Sequence, residues 1–153
     1  MSNLEAVGRY FARDRFAATS GIELVELRPG YAKARMEVEP RHLNSVGIVQ
    51  GGAIFTLADF AFAVACNTAG QVTVAVNMNL SCLKATRDGT LVAEATEVSR
   101  SRRISTCTVR VVDAEGRPVA LFQGTAYVKD EPFPPPDASA ESFSNSSATS
   151  SQK

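Results

Sequence analysis

A single carboxylate interrupts the most apolar stretch of the chain. Small and apolar side chains fill most of residues 51–70, and Asp59 is the charged residue among them. An ionised carboxylate in apolar surroundings is costly unless it is paired. Asp59 is therefore the first candidate for a general base or a nucleophile. The alternative is an acid that is satisfied by a neighbouring arginine or by backbone donors.

Backbone donors precede this acid at the start of the same stretch. Gly51 and Gly52 would leave the N–H groups of a first helical turn accessible, where they can stabilise a developing oxyanion. Asn44 is a candidate to hold a water or a carbonyl, although a loop Asn is also typical of a turn. His42 is the single histidine of the chain, and its place after Pro40 predicts an exposed loop residue rather than a catalytic one.

Several function classes lack their motifs in this sequence. There is no G-x-S-x-G elbow, no P-loop and no G-x-G-x-x-G fingerprint. Acidic and basic residues balance at 16 each, so no net charge favours nucleic acid or anionic membranes. One histidine and three cysteines without C-x-x-C spacing predict no metal site and reduced thiols. The N-terminus has no signal-peptide pattern, so we expect a cytoplasmic protein.

The elements around the acid predict an α+β fold. The apolar stretch suits a buried helix of about 17 residues, because it is hydrophobic on every side. Successive strands with short turns imply antiparallel pairing, and a curved sheet around one helix would cover it. The remaining pattern predicts an amphipathic helix over 4–18 and strands over 22–27, 31–38, 72–82, 91–98, 104–112 and 119–128.

Two further patterns bear on the organisation of the chain. Alternation from Val72 to Cys82 predicts a long strand with one continuous apolar face, which includes Val74 and Val76. Residues 1–130 are predicted to form one domain. Residues 131–153 are rich in Pro and Ser, and we expect this tail to be disordered because it offers little apolar surface to bury.

A cluster of arginines follows the predicted strand 91–98. Arg100, Ser101, Arg102 and Arg103 form a short polar link. Such a cluster is either a solvated turn or a site for phosphate groups, and the sequence leaves both interpretations open.

The segment from His42 to Asp59 resembles the N-x-x-G-x-x-H-G-G-x₆-D signature of hotdog-fold acyl-CoA thioesterases. Its continuation through Asn67 is similar to the phenylacetate-degradation (PaaI-type) branch, and the similarity covers roughly residues 5–129. The resemblance implies a long helix wrapped by an antiparallel sheet, with an additional N-terminal helix in this chain. It also implies homodimers, often paired into homotetramers, with active sites at the dimer interface.

By this resemblance, Asp59 of one subunit is the catalytic carboxylate and the Gly51 N–H polarises the thioester carbonyl. Asn44 of the partner subunit orients the water or the carbonyl, with Gly52 beside the substrate. Ser101, Arg102 and Arg103 match the region that holds coenzyme A phosphates. Coenzyme A arrives as part of the substrate, so no separate cofactor, nucleic acid or membrane partner is expected.

The sequence departs from the signature at one position, where Gln50 replaces the usual histidine. Gln50 can donate a hydrogen bond to an oxyanion, but it cannot transfer a proton near neutral pH. Hotdog hydratases are an alternative, although His42 would have to supply their imidazole. A non-catalytic acyl-CoA sensor is another, and the presence of Asp59 disfavours it. The acyl group remains open, with hydroxylated phenylacetyl, other aryl and medium-chain groups as the expected candidates.

Overall fold

The computed structural model describes residues 2–135, which form three α-helices and six strands. Their order is the predicted one, with a helical N-terminus, two strands, the apolar helix and four further strands. The elements are α1 (Asn3–Phe11), α2 (Arg15–Thr19), β1 (Ile22–Arg28), β2 (Tyr31–Glu37), a 3-10 helix (Pro40–His42), α3 (Gly51–Asn67), β3 (Gln71–Cys82), β4 (Thr90–Arg100), β5 (Ile104–Val112) and β6 (Pro118–Pro132).

All six strands belong to one antiparallel sheet, in the order β1-β2-β4-β5-β6-β3. Helix α3 packs across this sheet and contacts every strand, which confirms the predicted α+β architecture. Its side chain Phe62 is buried against Gly124 of β6, where an added Cβ would lie 2.7 Å from the ring. Only glycine at position 124 therefore lets the sheet close this tightly on the helix.

The N-terminal helix is divided, where the sequence pattern predicted one helix over 4–18. Helix α1 ends at Phe11 and α2 starts at Arg15. Asp14 causes the division, because its side chain accepts a hydrogen bond from the Ala17 N–H at 2.9 Å and caps α2. The break places the Asp14 carboxylate beside α3.

Strand β3 does not present the single apolar face that was predicted. A bulge between Ala75 and Asn77 shifts the register against β6. Met78 and Leu80 consequently pack on the core, whereas Val74 and Val76 are exposed. The strand is also an edge of the sheet, so these valines lie on or beside an open edge.

Ordered packing extends past residue 130, where the domain was predicted to end. Strand β6 continues to Pro132, and Phe133 is buried with its ring 4.8 Å from Tyr10 and 5.6 Å from Phe11. The predicted disorder of the tail concerns chiefly residues 136–153, which lie outside the described residues. Within residues 2–135, no helix is both long enough and apolar enough to cross a membrane.

Candidate active site

The start of α3 presents one backbone donor to open space. Gln50 caps the helix, and its side-chain oxygen accepts from the Gly52 N–H. The Gln50 carbonyl accepts from the Ala53 N–H at 2.9 Å. The Gly51 N–H has no acceptor within residues 2–135, and nothing lies within 4 Å of a Cβ built on Gly51. This N–H is therefore free to bind a developing oxyanion, whereas that of Gly52 is already satisfied.

Asn44 lies on the same side of the protein as Gly51, in the same chain. Both residues line a cavity of about 270 Å³ between the loop before α3 and the end of β3. The Asn44 Oδ1 accepts from the N–H groups of Val46 at 3.1 Å and Ile48 at 3.2 Å, so it also shapes this loop. Asn44 and Gly51 of one chain therefore face the same cavity. The resemblance places Asn44 and the catalytic carboxylate in different subunits, and it does not say which of the two supplies Gly51.

His42 is buried, with 5% of its surface exposed, and the prediction of an exposed loop residue is wrong. Its Nδ1 accepts from the Glu39 N–H at 3.0 Å, so Nε2 carries the proton and donates to the Ser20 carbonyl at 2.7 Å. The His42 carbonyl in turn accepts from the Gln50 N–H at 2.8 Å. His42 therefore anchors the loop that leads into α3, and neither ring nitrogen is available to a substrate.

Asp59 is half-buried in the middle of α3. Burial raises the pKa of its carboxyl, and the negative charge of Asp14 raises it further. Asp59 lies eight residues after Gly51, which corresponds to about 12 Å along the helix axis. The Gly51 N–H and the Asp59 carboxylate of one chain therefore cannot both contact the same substrate carbonyl.

An apolar cavity of about 450 Å³ lies between the N-terminal helices and α3. Phe11 and Phe60 line it, with ring centroids 6.0 Å apart, and Asp14 forms part of its wall. Asp14 was not among the site residues predicted from the sequence. Its signal was present nonetheless, because an Asp three residues before Ala17 within an amphipathic pattern is typical of a helix N-cap.

The arginine link has its three guanidinium groups in different surroundings. Arg100 turns inward and donates to the Cys66 carbonyl at 3.0 Å and to the Glu97 carboxylate at 2.9 Å. Arg103 pairs with Asp130 at 2.6 Å. Arg102 is exposed and makes no hydrogen bond or ion pair within residues 2–135, and neighbouring Ser101 is exposed as well.

Comparison with known proteins identifies the family. Residues 46–120 match the thioesterase superfamily. The chain is 31% identical to the acyl-coenzyme A thioesterase PaaI of Escherichia coli, over 76% of this chain and 84% of that protein. The structure of the E. coli PaaI protein from the phenylacetic acid degradation operon superimposes with a TM-score of 0.79 and 28% identity, covering 83% of this chain and 93% of that one.

A third comparison concerns a protein with bound ligand. A hypothetical thioesterase from Streptococcus pneumoniae, solved with coenzyme A, superimposes with a TM-score of 0.74 and 26% identity, covering 79% of this chain and 95% of that one. Together with the E. coli relative, these matches extend well beyond the segment around α3. The chain therefore belongs to the thioesterase superfamily, and it is a hotdog-fold thioester hydrolase of the PaaI type.

Proposed function

We propose that the protein hydrolyses acyl-coenzyme A thioesters in a site that two copies of the chain build together. One copy supplies the Gly51 N–H and Asn44, and the other supplies Asp59. The observation that carries this proposal is the separation of about 12 Å along α3 between the free N–H and the carboxylate. A thioester carbonyl that is bound to the Gly51 N–H is therefore too far from the Asp59 carboxylate of the same chain to react with it.

The sheet supports pairing of two copies. Strand β3 is a 12-residue edge strand, and Val76 at its bulge is 62% exposed. A long apolar edge with unpaired backbone groups is a template for a second strand. Pairing β3 with β3 of a second copy would extend the sheet across a two-fold axis and bring two α3 helices side by side. Such dimers are also the unit from which we expect the tetramer to form.

In the proposed hydrolysis, the Gly51 N–H stabilises negative charge and the Asp59 carboxylate acts as the base or the nucleophile. The Gly51 N–H polarises the thioester carbonyl and stabilises the oxyanion. Asp59 takes a proton from water, the water oxygen bonds to the carbonyl carbon, the carbon–sulfur bond breaks, and the proton passes to the departing thiolate. In the alternative route, the Asp59 carboxylate attacks the carbon itself and the carbon–sulfur bond breaks to give an anhydride and the free thiolate. Water then opens the anhydride, which regenerates the Asp59 carboxylate and releases the acid, and a proton from that water passes to the thiolate. The raised pKa of the Asp59 carboxyl supports either role.

Gln50 has a defined part in this scheme. Its side-chain oxygen caps α3 through the Gly52 N–H, so the amide NH₂ is the end that remains to donate. We assign it a hydrogen bond to the substrate and no proton transfer. The hydratase alternative has no support at this site, because both ring nitrogens of His42 are bound to backbone groups.

The acyl group is proposed to enter the apolar cavity beside Asp14. Phe11 and Phe60 give this cavity aromatic walls, and its volume of about 450 Å³ accommodates a phenylacetyl group or a medium acyl chain. The relative from the phenylacetic acid degradation operon favours phenylacetyl and hydroxyphenylacetyl groups. Hydrolysis rates over a panel of aryl and straight-chain acyl-CoA esters would test this assignment.

Arg102 is the arginine that we assign to the coenzyme A phosphates, since Arg100 and Arg103 already have carboxylate partners. Replacing Arg102 by Ala should raise KM several-fold for acyl-CoA and leave KM unchanged for the matching acyl-pantetheine, which lacks the nucleotide phosphates. The same replacement at Arg103 is the matched control and should have the smaller effect. Equal KM values for Arg102→Ala and wild type with acyl-CoA would contradict the assignment.

Mixed dimers test the two-copy site directly. Asp59→Asn and Gly51→Pro chains are each expected to be nearly inactive alone. After unfolding and refolding together, half of the dimers should be mixed, and each mixed dimer keeps one intact site. Activity should therefore recover to about a quarter of the wild-type value. The absence of recovery, with mixed dimers demonstrated by mass spectrometry, would overturn the shared site.

The assay for these experiments must take account of Cys82. This thiol is exposed and lines the cavity that contains Gly51. Reagents that detect free coenzyme A through its thiol would also modify Cys82. Loss of thioester ultraviolet absorbance avoids this reaction.

A further inference from the structure

One face of helix α3 stays accessible in the single chain. Gly52 is exposed, and Thr56 and Asp59 are half-buried, at the spacing of successive helical turns. Leu57 and Ala58 between them are fully buried against the core. Thr56 therefore lies one turn before Asp59, on the face of the helix that a ligand can reach.

The carboxylate of Asp59 has no donor of its own. It accepts no hydrogen bond within residues 2–135. A helical side chain leans towards the N-terminus of its helix, which places this carboxylate over the turn that contains Thr56. Residues three apart on a helix have Cβ atoms about 5–6 Å from each other. A small molecule that donates a hydrogen bond to Asp59 at this point also lies next to Thr56.

The hydroxyl of Thr56 can act there only as an acceptor. It donates its hydrogen to the Gly52 carbonyl at 2.7 Å. The oxygen keeps lone pairs that can accept a further hydrogen bond. Helix stability does not account for threonine at this position, because alanine is the better helix former and a bond to the carbonyl four residues earlier does not strengthen a helix.

Two neighbouring acceptors match the two hydrogens of a water molecule. A water that donates two hydrogen bonds of ordinary length joins acceptors roughly 4.5 Å apart, which fits residues three apart on one helix face. We propose that Thr56 Oγ1 and the Asp59 carboxylate of one copy hold the attacking water between them, and this assignment rests on the proposed function with Asp59 as the base.

This arrangement gives the water a defined direction. With both hydrogens bonded, its oxygen lone pair points away from α3, towards the carbonyl carbon that the Gly51 N–H of the other copy holds. Asp59 takes one hydrogen as the oxygen bonds to that carbon. The second hydrogen stays on the oxygen, and Thr56 neither gains nor loses a proton.

Replacing Thr56 by Val removes the acceptor and keeps the shape of the side chain. We expect kcat for an acyl-CoA to fall roughly tenfold, as for the loss of one hydrogen bond. KM should not change, because the hydroxyl contacts the water and not the thioester. Thr56→Ser keeps the hydroxyl and should retain most of kcat. Equal kcat values for Thr56→Val and wild type would overturn the inference.

Methanol as a second nucleophile separates this role from a structural one. Its one hydroxyl hydrogen goes to Asp59, and its methyl group then replaces the hydrogen that water directs to Thr56. In water that contains methanol, the ratio of methyl ester to free acid should therefore rise several-fold from wild type to Thr56→Val. The ratio compares two products of one enzyme, so it does not depend on how much of the variant is folded. An unchanged ratio would overturn the inference.

The Asp59→Asn variant is the reference for both measurements, since it reports the reaction without the base. If wild type hydrolyses the acyl-CoA and Asp59→Asn does not, a negative result for Thr56 removes this water position and leaves the proposed function intact. Wild type without activity on acyl-CoA esters would overturn both.

Discussion

The two candidate regions of α3 differ in almost every physical respect. Its start is exposed, carries no charged side chain and presents the free N–H of Gly51 beside Asn44. Its middle is half-buried and presents the carboxylate of Asp59, with a second carboxylate at Asp14 nearby. The first region can stabilise negative charge, and the second can accept a proton. Hydrolysis of a thioester needs both.

In the proposed site, one helix carries both the oxyanion donor and the carboxylate, but these two groups of one chain cannot act on the same substrate. The regions are about 12 Å apart along the axis and are rotated by roughly 80°. A two-fold arrangement of two helices allows the start of one to face the middle of the other. Monomeric copies should therefore bind thioester poorly and hydrolyse it little.

Replacing Asp59 by Asn should have the largest effect. The amide keeps the shape of the side chain but cannot accept the proton, so kcat should fall about a thousandfold. Folding should not suffer, because the amide avoids the cost of a half-buried charge. Loss of thioester absorbance measures the rate, and urea unfolding measures the stability. A variant with near-normal turnover would remove Asp59 from the mechanism.

Replacing Gly51 by Pro should have the next largest effect. Proline removes the N–H, and kcat should fall about a hundredfold for the loss of one oxyanion donor. Position 51 is the first helical residue, where proline is tolerated, and Gln50 before it has the extended ψ of 135° that proline requires. Gly51→Ala keeps the N–H and serves as the control with the smaller loss. Equal activity of Gly51→Pro and wild type would show that the carbonyl binds elsewhere.

The sequence predicted the elements well because each was set by local patterns. The all-apolar helix, the alternating strands and the turn residues specify their own conformations, and all of these elements are present. The bulge in β3 was not predictable in the same way. It arises from the register with β6, which opposes Ala75 to Ala126 and Met78 to Gly124. A pattern within one strand does not contain that information.

The candidate site was predictable only in part, for a related reason. Asp59 and Gly51 were selected as candidates because an acid in an apolar helix and a glycine pair at its start are unusual locally. His42 was misjudged, since its partners at Ser20 and Glu39 are supplied by the folded chain. Residues whose role depends on tertiary contacts lie outside what one sequence shows.

Replacing Asp14 by Asn should have the smallest effect, and it concerns pH. The negative charge of Asp14 contributes to the raised pKa of the Asp59 carboxyl, after burial, which is the larger cause. The proposed mechanism requires ionised Asp59, so activity should fall as the pH drops through the pKa of its carboxyl. Removing the neighbouring charge lowers that pKa. The acid limb of the kcat profile should therefore move to lower pH, while the rate at the plateau stays close to wild type.

The neutral replacement also keeps the fold, because Asn and Ser cap helices about as well as Asp, and the bond to the Ala17 N–H is retained. Asp14→Ser should move the acid limb in the same direction as Asp14→Asn, whereas Asp14→Glu keeps the charge and should not.

The sign of the effect on stability follows from the same pKa. The pKa of the Asp59 carboxyl is higher in the folded than in the unfolded protein, so its ionised form lowers the free energy of unfolding above the folded pKa. This cost disappears as the pH falls from the folded pKa to the unfolded pKa. Asp14→Asn should reduce that cost at neutral pH, so a lower resistance to urea there, or an unmoved acid limb, would show that the two carboxylates do not interact.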